Sequence, residues 1–401
     1  MAVLDDPEGH RSDQKTEIST TNSTYTPTMF NWVKQTVGVT EPVYGPTAIQ
    51  SVAEQTKDTP WTEITRADHA WECMDSTNVE CKTFYMTSDD GHIGMVQVIY
   101  SNVMGIRTTA QFSTKIFANS SENDPRKEHL WCSDNLSNFS FSADKTNFKA
   151  DGCSMELSED GKTYTVKSTI NKQSVVNLTF TTLTPGCVVG KDGISNFGTD
   201  PEKPWGRMRH AFWPRCKVEG SIMTQQGPVD FTGKGLFIHA LQGMKPHFAA
   251  AKWNFCDFQS PTYSAILMEF TTPPSYGETS VAVGCIATDD GIIFAGASPV
   301  TKVEHTEVKG DADNDWPEPG AIKFSWEGAD VKAELAGNLT RVDRVDVMGE
   351  LPKFVKQIVA GAAGTKPYIY QYTPKLVIKV KNGSEEKEEE GQLFMESTFI
   401  S

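Results

Sequence analysis

Lys82-Thr83-Phe84-Tyr85-Met86-Thr87 is followed by the turn Asp89-Asp90-Gly91 and then by the run 93–100. Both runs are rich in aromatic and β-branched residues, and an Asp-Gly turn between two such runs predicts a β-hairpin. The pattern recurs at the turns 159–161 and 289–291, each between two further runs of this kind. Three hairpins spread along the chain predict a meandering antiparallel sheet, so we expect an all-β fold.

The composition agrees with many short strands. The 401 residues include 31 Gly, 21 Pro and 10% aromatic residues, which suits strands joined by turns better than a helical bundle. This length exceeds the usual size of one domain, so two domains are expected. The formal net charge of -15 would repel nucleic-acid phosphates and anionic lipid head groups. We therefore expect no nucleic-acid partner and no polybasic mode of membrane binding.

The predicted organisation has four segments. They are a disordered tail at 1–28, an amphipathic helix with a linker at 29–60, a first β-barrel at 61–213 and a second β-barrel at 214–401. The boundary is placed at Pro214 because a loop rich in Gly and Pro precedes it and a strand is predicted at 216–224. Further helices are predicted at 47–57 and 352–360. The acidic run 385–390 is interpreted as a solvated hairpin loop.

The segment 29–39 has the pattern of an amphipathic helix. Thr28 is a suitable N-cap, and a step of about 100° per residue gathers the apolar residues on one half of the helix. The residues expected to contact a membrane are Met29, Phe30, Trp32, Val33 and Val37. A helix packed on the protein's own barrel is the alternative, and the sequence leaves both open.

The cysteines and the histidines indicate neither a metal site nor a disulfide framework. Eight cysteines are scattered without C-x-x-C spacing, and no histidine follows at zinc-site spacing. We expect reduced, mostly buried thiols, no metal and no cofactor. The start of the chain lacks the pattern of a signal peptide, and no run approaches the roughly 20 apolar residues of a membrane span. A cytoplasmic location is therefore expected.

The residues best suited to contact a ligand lie between positions 207 and 255, where histidines, arginines and tryptophans are concentrated. The candidates are Arg209, His210, Trp213, His239, His247 and Trp253. A histidine within an apolar strand is more often a hydrogen-bonded core or lining residue than an acid or base. Gly233-x-Gly235 lacks the third glycine of a dinucleotide site, and there is no G-x-S-x-G or P-loop motif. No catalytic residue is assigned.

Three stretches resemble the fungal survival factor family: Phe30-Asn31-Trp32-Val33, the block 82–103 and the block 233–255. The resemblance covers the chain from about Met29 onward. It implies two lipocalin-like barrels side by side, a membrane-binding helix near the N-terminus and an apolar cavity. It also implies transfer of ceramide between the endoplasmic reticulum and the Golgi and a role in survival of oxidative stress. The protein would then be peripheral on those membranes, and the nucleus is a further candidate location.

The same double-barrel architecture is similar to that of carotenoid hydratases and fungal cyclases. The hydratases carry an Asp-His-Asn-Trp-Gly block, whereas the comparable stretch here is Ile238-His239-Ala240-Leu241-Gln242-Gly243. We therefore predict a non-enzymatic lipid carrier. The alternatives are an isomerase, hydratase or cyclase with His239 or His210 as acid or base, and a scaffold that acts through protein contacts.

The family's helix lies at the very N-terminus, whereas residues 1–28 precede it here. We therefore also predict that Met29 is an alternative or true initiator.

Overall fold

The computed structural model describes residues 42–118, 129–311, 314, 316–347 and 367–400, and of Pro246 and His247 it describes the backbone alone. The predicted tail, the amphipathic helix at 29–39 and the helix at 352–360 lie outside these residues. Those three assignments stay predictions.

Most of the described residues belong to two antiparallel sheets, and the first sheet holds sixteen strands among them. These strands are β1 (Ile49–Gln50), β2 (Trp61–Glu63), β3 (Asn78–Ser88), β4 (Ile93–Val103), β5 (Arg107–Ile116), β6 (Leu130–Asn135), β7 (Ser140–Phe141), β8 (Phe148–Ala150), β9 (Cys153–Leu157), β10 (Thr163–Ser168), β11 (Val175–Thr182), β12 (Cys187–Val189), β13 (Ile194–Phe197), β14 (Gly206–Thr224), β15 (Gly227–Asp230) and β16 (Gly233–Gln242).

The main path of the first sheet is β6-β5-β4-β3-β16-β14-β11-β10-β9-β8-β7. Strands β12, β13 and β15 pair with β14, while β1 pairs with β13 and β2 with β12. The predicted hairpin of β3 and β4 is present, with Phe84 opposite Val96, and so is the hairpin of β9 and β10. The strands β3 and β16 are distant in sequence but lie side by side at the centre of the sheet.

The second sheet holds eleven strands among the described residues. They are β17 (Lys252–Gln259), β18 (Ser264–Thr271), β19 (Ser280–Thr288), β20 (Gly291–Ala297), β21 (Thr301–Gly310), β22 (Pro317–Glu327), β23 (Val331–Asn338), β24 (Arg341–Asp346), β25 (Tyr368–Tyr372), β26 (Lys375–Asn382) and β27 (Glu385–Phe399). The main path is β20-β19-β18-β17-β27-β26-β23-β22-β21, with β24 and β25 joined through β27. The third predicted hairpin is formed by β19 and β20.

Each sheet curls around a core of its own, and a third core lies between the sheets. Along β3, Phe84 points into the core of the first sheet, whereas Tyr85 belongs to the core between the sheets. The ring of Tyr85 lies 4.9 Å from that of Phe255 on β17. Because successive side chains of a strand point to opposite faces, one strand serves two cores. We call each sheet with its own core the first barrel and the second barrel.

The predicted all-β class with two lipocalin-like units is confirmed by this architecture. The described helices are short: α1 (Pro246–Ala249) and the 3-10 turns Pro46–Ala48, Val52–Lys57, Arg66–His69 and Pro274–Tyr276. In the part of the chain that the structure describes, no helix is long and apolar enough to cross a membrane. All eight cysteines are free, and six of them are buried, as predicted.

The change from one sheet to the other does not occur at the predicted boundary. Pro214 lies within β14, and the first sheet continues to Gln242, so the boundary moves to the segment between Gln242 and Lys252. The strand accommodates the proline because the pairing of β14 with β16 shifts between Trp213 and Cys216. At such a bulge a missing backbone N–H is tolerated.

Two local predictions were also wrong. Residues 47–57 form two 3-10 turns with β1 between them rather than one helix. The acidic run 385–390 is the first half of β27 rather than a loop, and it pairs with β26. Opposite charges meet across these strands, for example Lys379 Nζ and Glu388 Oε1 at 3.0 Å, which stabilises an exposed charged ribbon.

Candidate functional site

Charged side chains lie in the interior of the first barrel, which is otherwise lined by aromatic residues. Glu80 and Lys82 alternate with Phe84 along β3 and are 0% exposed. On β16, His239 lies opposite Lys82, two residues after Phe237. Because successive side chains of a strand point to opposite faces, these polar groups lie on the same face as the aromatic core.

Glu80 and His239 form a buried hydrogen-bonded pair, with 2.7 Å between Oε1 and Nε2. The carboxylate also accepts the backbone N–H groups of Glu72 at 2.8 Å and Cys73 at 3.0 Å. Burial raises the pKa of Glu80, but the hydrogen bond from His239 and these backbone donors outweigh burial, so the pKa lies below its usual range. The carboxylate is ionised at neutral pH.

The tautomer of His239 follows from this pairing. Burial lowers the pKa of His239 despite the opposing hydrogen bond to Glu80, so the ring is neutral. An ionised carboxylate only accepts hydrogen bonds, so Nε2 carries the proton and Nδ1 is an acceptor. His239 Nδ1 has no hydrogen-bond partner in the protein, and the same holds for the Nε1–H of Trp71. The two rings are neighbours, with centroids 5.9 Å apart.

Lys82 is held by neutral oxygens. Its Nζ donates to the carbonyls of His69 at 2.5 Å and Thr146 at 3.3 Å and to the hydroxyl of Tyr164 at 3.1 Å. It also lies over the ring of Trp71, 4.9 Å from the centroid, where the π face attracts a cation. Burial lowers the pKa of Lys82 to about 7, against the raising effect of the Glu80 carboxylate. Lys82 is therefore poised between charged and neutral forms near neutral pH.

A cavity of about 340 Å³ opens above this cluster, and we call it the mouth cavity. Trp71 is among its lining residues, and the ring centroid of Trp71 lies 5.9 Å from that of His239. Arg209 lines the rim, where Nη2 lies 3.2 Å from Asp68 Oδ1. The cavity is lined by Thr62, Glu63, Ile64, Ala67, Asp68, Ala70, Trp71, Glu72, Val188, Lys191, Asp192, Ile194 and Arg209.

A larger cavity of about 540 Å³, the side cavity, lies between the 3-10 turn Val52–Lys57 and the edge strand β20. Most of its lining side chains are apolar: Ala53, Pro60, Trp61, Ile292, Ile293, Phe294, Ala295, Ala297, Pro299, Val300, Ala329 and Val331. Pro60 and Trp61 line the side cavity, and the next residues, Thr62 to Ile64, line the mouth cavity. The two cavities therefore adjoin along strand β2.

The structure brings only part of the predicted ligand set together. Trp213 and His239 lie inside the first barrel, and Arg209 lines the mouth cavity. His210 and Trp253 instead contact each other between the two sheets, with ring centroids 5.9 Å apart. The side chain of His247 and the predicted membrane contacts at 29–37 lie outside what the structure describes. Ligand and membrane contact by these residues stays a prediction.

The charged residues of β3 and the aromatic residue at the mouth were missed. The signal was present in the hairpin that indicates the fold, because Glu80 and Lys82 occupy the same alternating positions of β3 as the core residues Phe84 and Met86. Burying a charged group on the apolar face of a strand is costly unless the group is paired, so such residues often mark a buried ion pair or a functional site. His69, Trp71 and Tyr164 gave no comparable signal, since their neighbours in space come from other elements.

The arrangement can accept and donate hydrogen bonds in an apolar enclosure. In the described ranges, no group of three His, Cys, Asp or Glu side chains could hold a metal ion. The buried acid–imidazole pair with an unpaired acceptor, beside an unpaired indole donor, fits a small polar group such as a hydroxyl.

Known proteins of similar sequence span the chain almost completely. A protein of Neurospora crassa named ceramide-binding protein svf-1 is 56% identical over 386 residues, which cover 93% of this chain and 100% of that protein. A Candida albicans protein named ceramide-binding protein SVF1 is 45% identical, with 93% of this chain and 100% of that protein covered. The Schizosaccharomyces pombe relative of the same name is 41% identical, at 92% and 99%.

Solved structures with the same fold have little sequence identity to this chain. Kievitone hydratase from Nectria haematococca superposes with a TM-score of 0.54 at 14% identity, covering 89% of this chain and 98% of that one. A putative AttH from Nitrosomonas europaea superposes with a TM-score of 0.54 at 12% identity, covering 82% and 97%. These likenesses establish the fold alone. The sequence profile of the Svf1 family matches residues 30–401, and the chain therefore belongs to the Svf1 family.

Proposed function

We propose that this protein is a non-enzymatic carrier of ceramide or a related apolar lipid. The observation that carries the proposal is the 56% identity, over 93% of the chain, to a protein named ceramide-binding protein. The adjoining cavities suit such a ligand in size and chemistry. One is lined largely by apolar side chains, and the other combines apolar walls with charged and hydrogen-bonding groups.

In this proposal the apolar chain of the lipid occupies the side cavity and its polar head occupies the mouth cavity. Strand β2 lies between the cavities, and the change of lining takes place within one residue, from Trp61 to Thr62. A strand rises about 3.3 Å per residue, so the distance is short for a ligand with a long alkyl chain. Each buried methylene contributes about 0.8 kcal/mol, which gives affinity without charged contacts.

We further propose that the carrier moves between the endoplasmic reticulum and the Golgi from the cytoplasm and supports survival of oxidative stress. The segment 29–39 would attach it reversibly to membranes through its apolar half. A short helix with one lysine binds weakly, which suits a carrier that must leave the surface.

Transfer of labelled ceramide between donor and acceptor vesicles of neutral phospholipid tests this proposal. Ala329→Trp at the exposed rim should narrow the side cavity. Losing contact with two or three methylenes, at about 0.8 kcal/mol each, should lower affinity roughly tenfold or more. The matched control is Ala336→Trp, at an exposed position of β23 outside the cavity, which should transfer normally. Equal transfer by the two variants would contradict use of the side cavity, and no transfer by the unaltered chain would contradict the carrier function.

Catalysis on an apolar substrate is the second candidate, and the buried pair of Glu80 and His239 is the observation that favours it. A neutral imidazole oriented by a carboxylate is a suitable general base. This candidate predicts turnover of a bound lipid by the unaltered chain and its loss in His239→Gln. Recovery of the lipid chemically unchanged after prolonged incubation supports the carrier instead.

A further inference from the structure

The two unpaired polar atoms beside the mouth cavity have no structural explanation within the protein. Trp71 is 0% exposed and His239 is 2% exposed, yet Nε1–H of the indole and Nδ1 of the imidazole have no hydrogen-bond partner there. Leaving a buried polar atom unpaired is costly, and most such atoms in folded proteins are paired. Two of them on contacting rings point to one shared partner that enters from outside the chain.

The chemistry of that partner follows from the two atoms. The indole nitrogen only donates, and Nδ1 only accepts because the proton of the neutral ring is on Nε2, which donates a hydrogen bond to Glu80. A group that accepts from the first and donates to the second needs both functions on one small centre. A hydroxyl group has them, whereas a carboxylate or an ester carbonyl only accepts and an ammonium only donates.

We propose that Trp71 and His239 form a binding site for one hydroxyl group of the ligand, at the deep side of the mouth cavity. The inference rests on the proposed function, which supplies a lipid with hydroxyl groups. Glu80 acts as a positioning residue, because its hydrogen bond and those it accepts from the backbone of Glu72 and Cys73 fix the ring of His239. Lys82 lies on the face of the Trp71 indole and holds that ring in place.

This site also predicts a preference among lipids of equal length. A diacyl lipid whose head lacks a free hydroxyl would leave both atoms unpaired, whereas a hydroxylated sphingoid base pairs them. A site built to hydrogen-bond a hydroxyl discriminates against an analogue that lacks it, since its own buried groups are left without partners.

The test compares ceramide with two analogues of the same acyl chain, one lacking the 1-hydroxyl and one lacking the 3-hydroxyl. The unaltered chain should bind ceramide about two- to tenfold more tightly than one of the analogues, the range expected for one hydrogen bond. Trp71→Phe removes the donor and keeps the aromatic ring, and it should abolish this preference. His239→Gln keeps a donor for Glu80, removes the acceptor, and should act in the same direction.

Trp326→Phe is the matched control, because Trp326 is a buried tryptophan of the second barrel whose Nε1–H donates to the carbonyl of Ile266 at 3.1 Å. It should keep the preference. A second readout is the indole N–H resonance of Trp71, assigned by its loss in Trp71→Phe. It should move to lower field on addition of ceramide and stay in place with the analogue that is bound more weakly.

The outcomes separate this inference from the function on which it rests. Ceramide binding with an unchanged preference in both Trp71→Phe and His239→Gln, or with an unmoved indole resonance, would mean that a water molecule alone occupies the pair. That result would overturn the hydroxyl site and leave the carrier function standing. If the unaltered chain binds neither ceramide nor its analogues, the function and the site both fail.

Discussion

The interiors of the two barrels are both packed with aromatic side chains, but they differ in how their buried polar groups are hydrogen-bonded. In the second barrel, Trp326 donates to the carbonyl of Ile266, and His305 Nε2 lies 2.9 Å from Asn254 Oδ1. Asn254 is bonded in turn to Glu269 at 3.0 Å and to Ser397 at 2.7 Å. Tyr372 has the one unpaired buried hydroxyl recorded in the described part of this core.

The first barrel has an ionised carboxylate, a neutral imidazole and a buried lysine in its interior, and two unpaired atoms lie on contacting rings next to a cavity. Polar groups that are hydrogen-bonded to one another stabilise a fold, but they have no free donor or acceptor for a ligand. Buried polar atoms without a partner lower the stability of the ligand-free fold. When they lie next to a cavity, a ligand that pairs them gains binding energy. This contrast is the reason why we propose recognition of the ligand at the mouth of the first barrel and structural support by the interior of the second.

Breaking the buried pair should have the largest effect. His239→Ala leaves the Glu80 carboxylate buried without its main side-chain partner, and we expect a loss of about 3–5 kcal/mol in the free energy of unfolding. His305→Ala in the second barrel removes a hydrogen bond between neutral groups and should cost about 1 kcal/mol. Urea unfolding of both variants measures the difference, and equal losses would contradict the contrast between the barrels.

Lys82 should give the first barrel a pH dependence above neutrality. Its folded pKa of about 7 lies below the ordinary lysine value of about 10.4, so the unfolded chain binds more protons between these limits. Stability contributed by this group is therefore lowest below pH 7 and rises as the pH increases toward 10, by up to a few kcal/mol at about 1.4 kcal/mol per unit.

Urea unfolding at a series of pH values checks this prediction as a difference: the stability of the unaltered chain relative to Lys82→Met should rise with pH. The buried thiols, whose pKa values are raised, act in the opposite direction but equally in both chains. Lys381→Met, at an exposed position of β26, is the control and should keep the pH dependence of the unaltered chain. The same pH dependence in the unaltered chain and in Lys82→Met would contradict the prediction.

The two tryptophans should differ by a smaller amount. Trp326→Phe removes the hydrogen bond from the indole to the carbonyl of Ile266, which should cost about 0.5–1.5 kcal/mol in the free energy of unfolding. Trp71→Phe removes an N–H that has no partner in the protein, so its excess cost over the change in ring size should be close to zero. Thermal and urea unfolding of the ligand-free variants compare them, and a larger loss in Trp71→Phe would indicate a partner within the fold.

Local sequence patterns predicted the strands and hairpins well because their causes are local. The Asp-Gly turns at 89–91 and 289–291 and the alternation around Phe84 depend on neighbouring residues, and those hairpins are present. The acidic run 385–390 was misassigned because its stabilisation comes from lysines on β26, which sequence patterning does not place opposite it. Pro214 was read as a boundary because the bulge that tolerates it depends on pairing with β16.

The site was predictable only in part for the same reason. His239 and Arg209 were selected as polar residues near aromatics; Arg209 lines the mouth cavity, and His239 lies inside the first barrel. His210 and Trp253 were selected on the same ground. Because side chains alternate between the two faces of a strand, these two point to the core between the sheets instead. Trp71 comes from a loop whose position relative to β16 follows from tertiary packing alone.

The lipid that remains bound to the purified full-length chain is the decisive measurement for the proposed carrier function. The chain is expressed in yeast cells and isolated without detergent, its lipids are extracted, and mass spectrometry measures the amount of each class per protein. We expect ceramide or a closely related hydroxylated sphingolipid, chemically unchanged, together with reduced recovery from Trp71→Phe. Finding no sphingolipid with the unaltered chain, or finding instead a converted product, would contradict the carrier function.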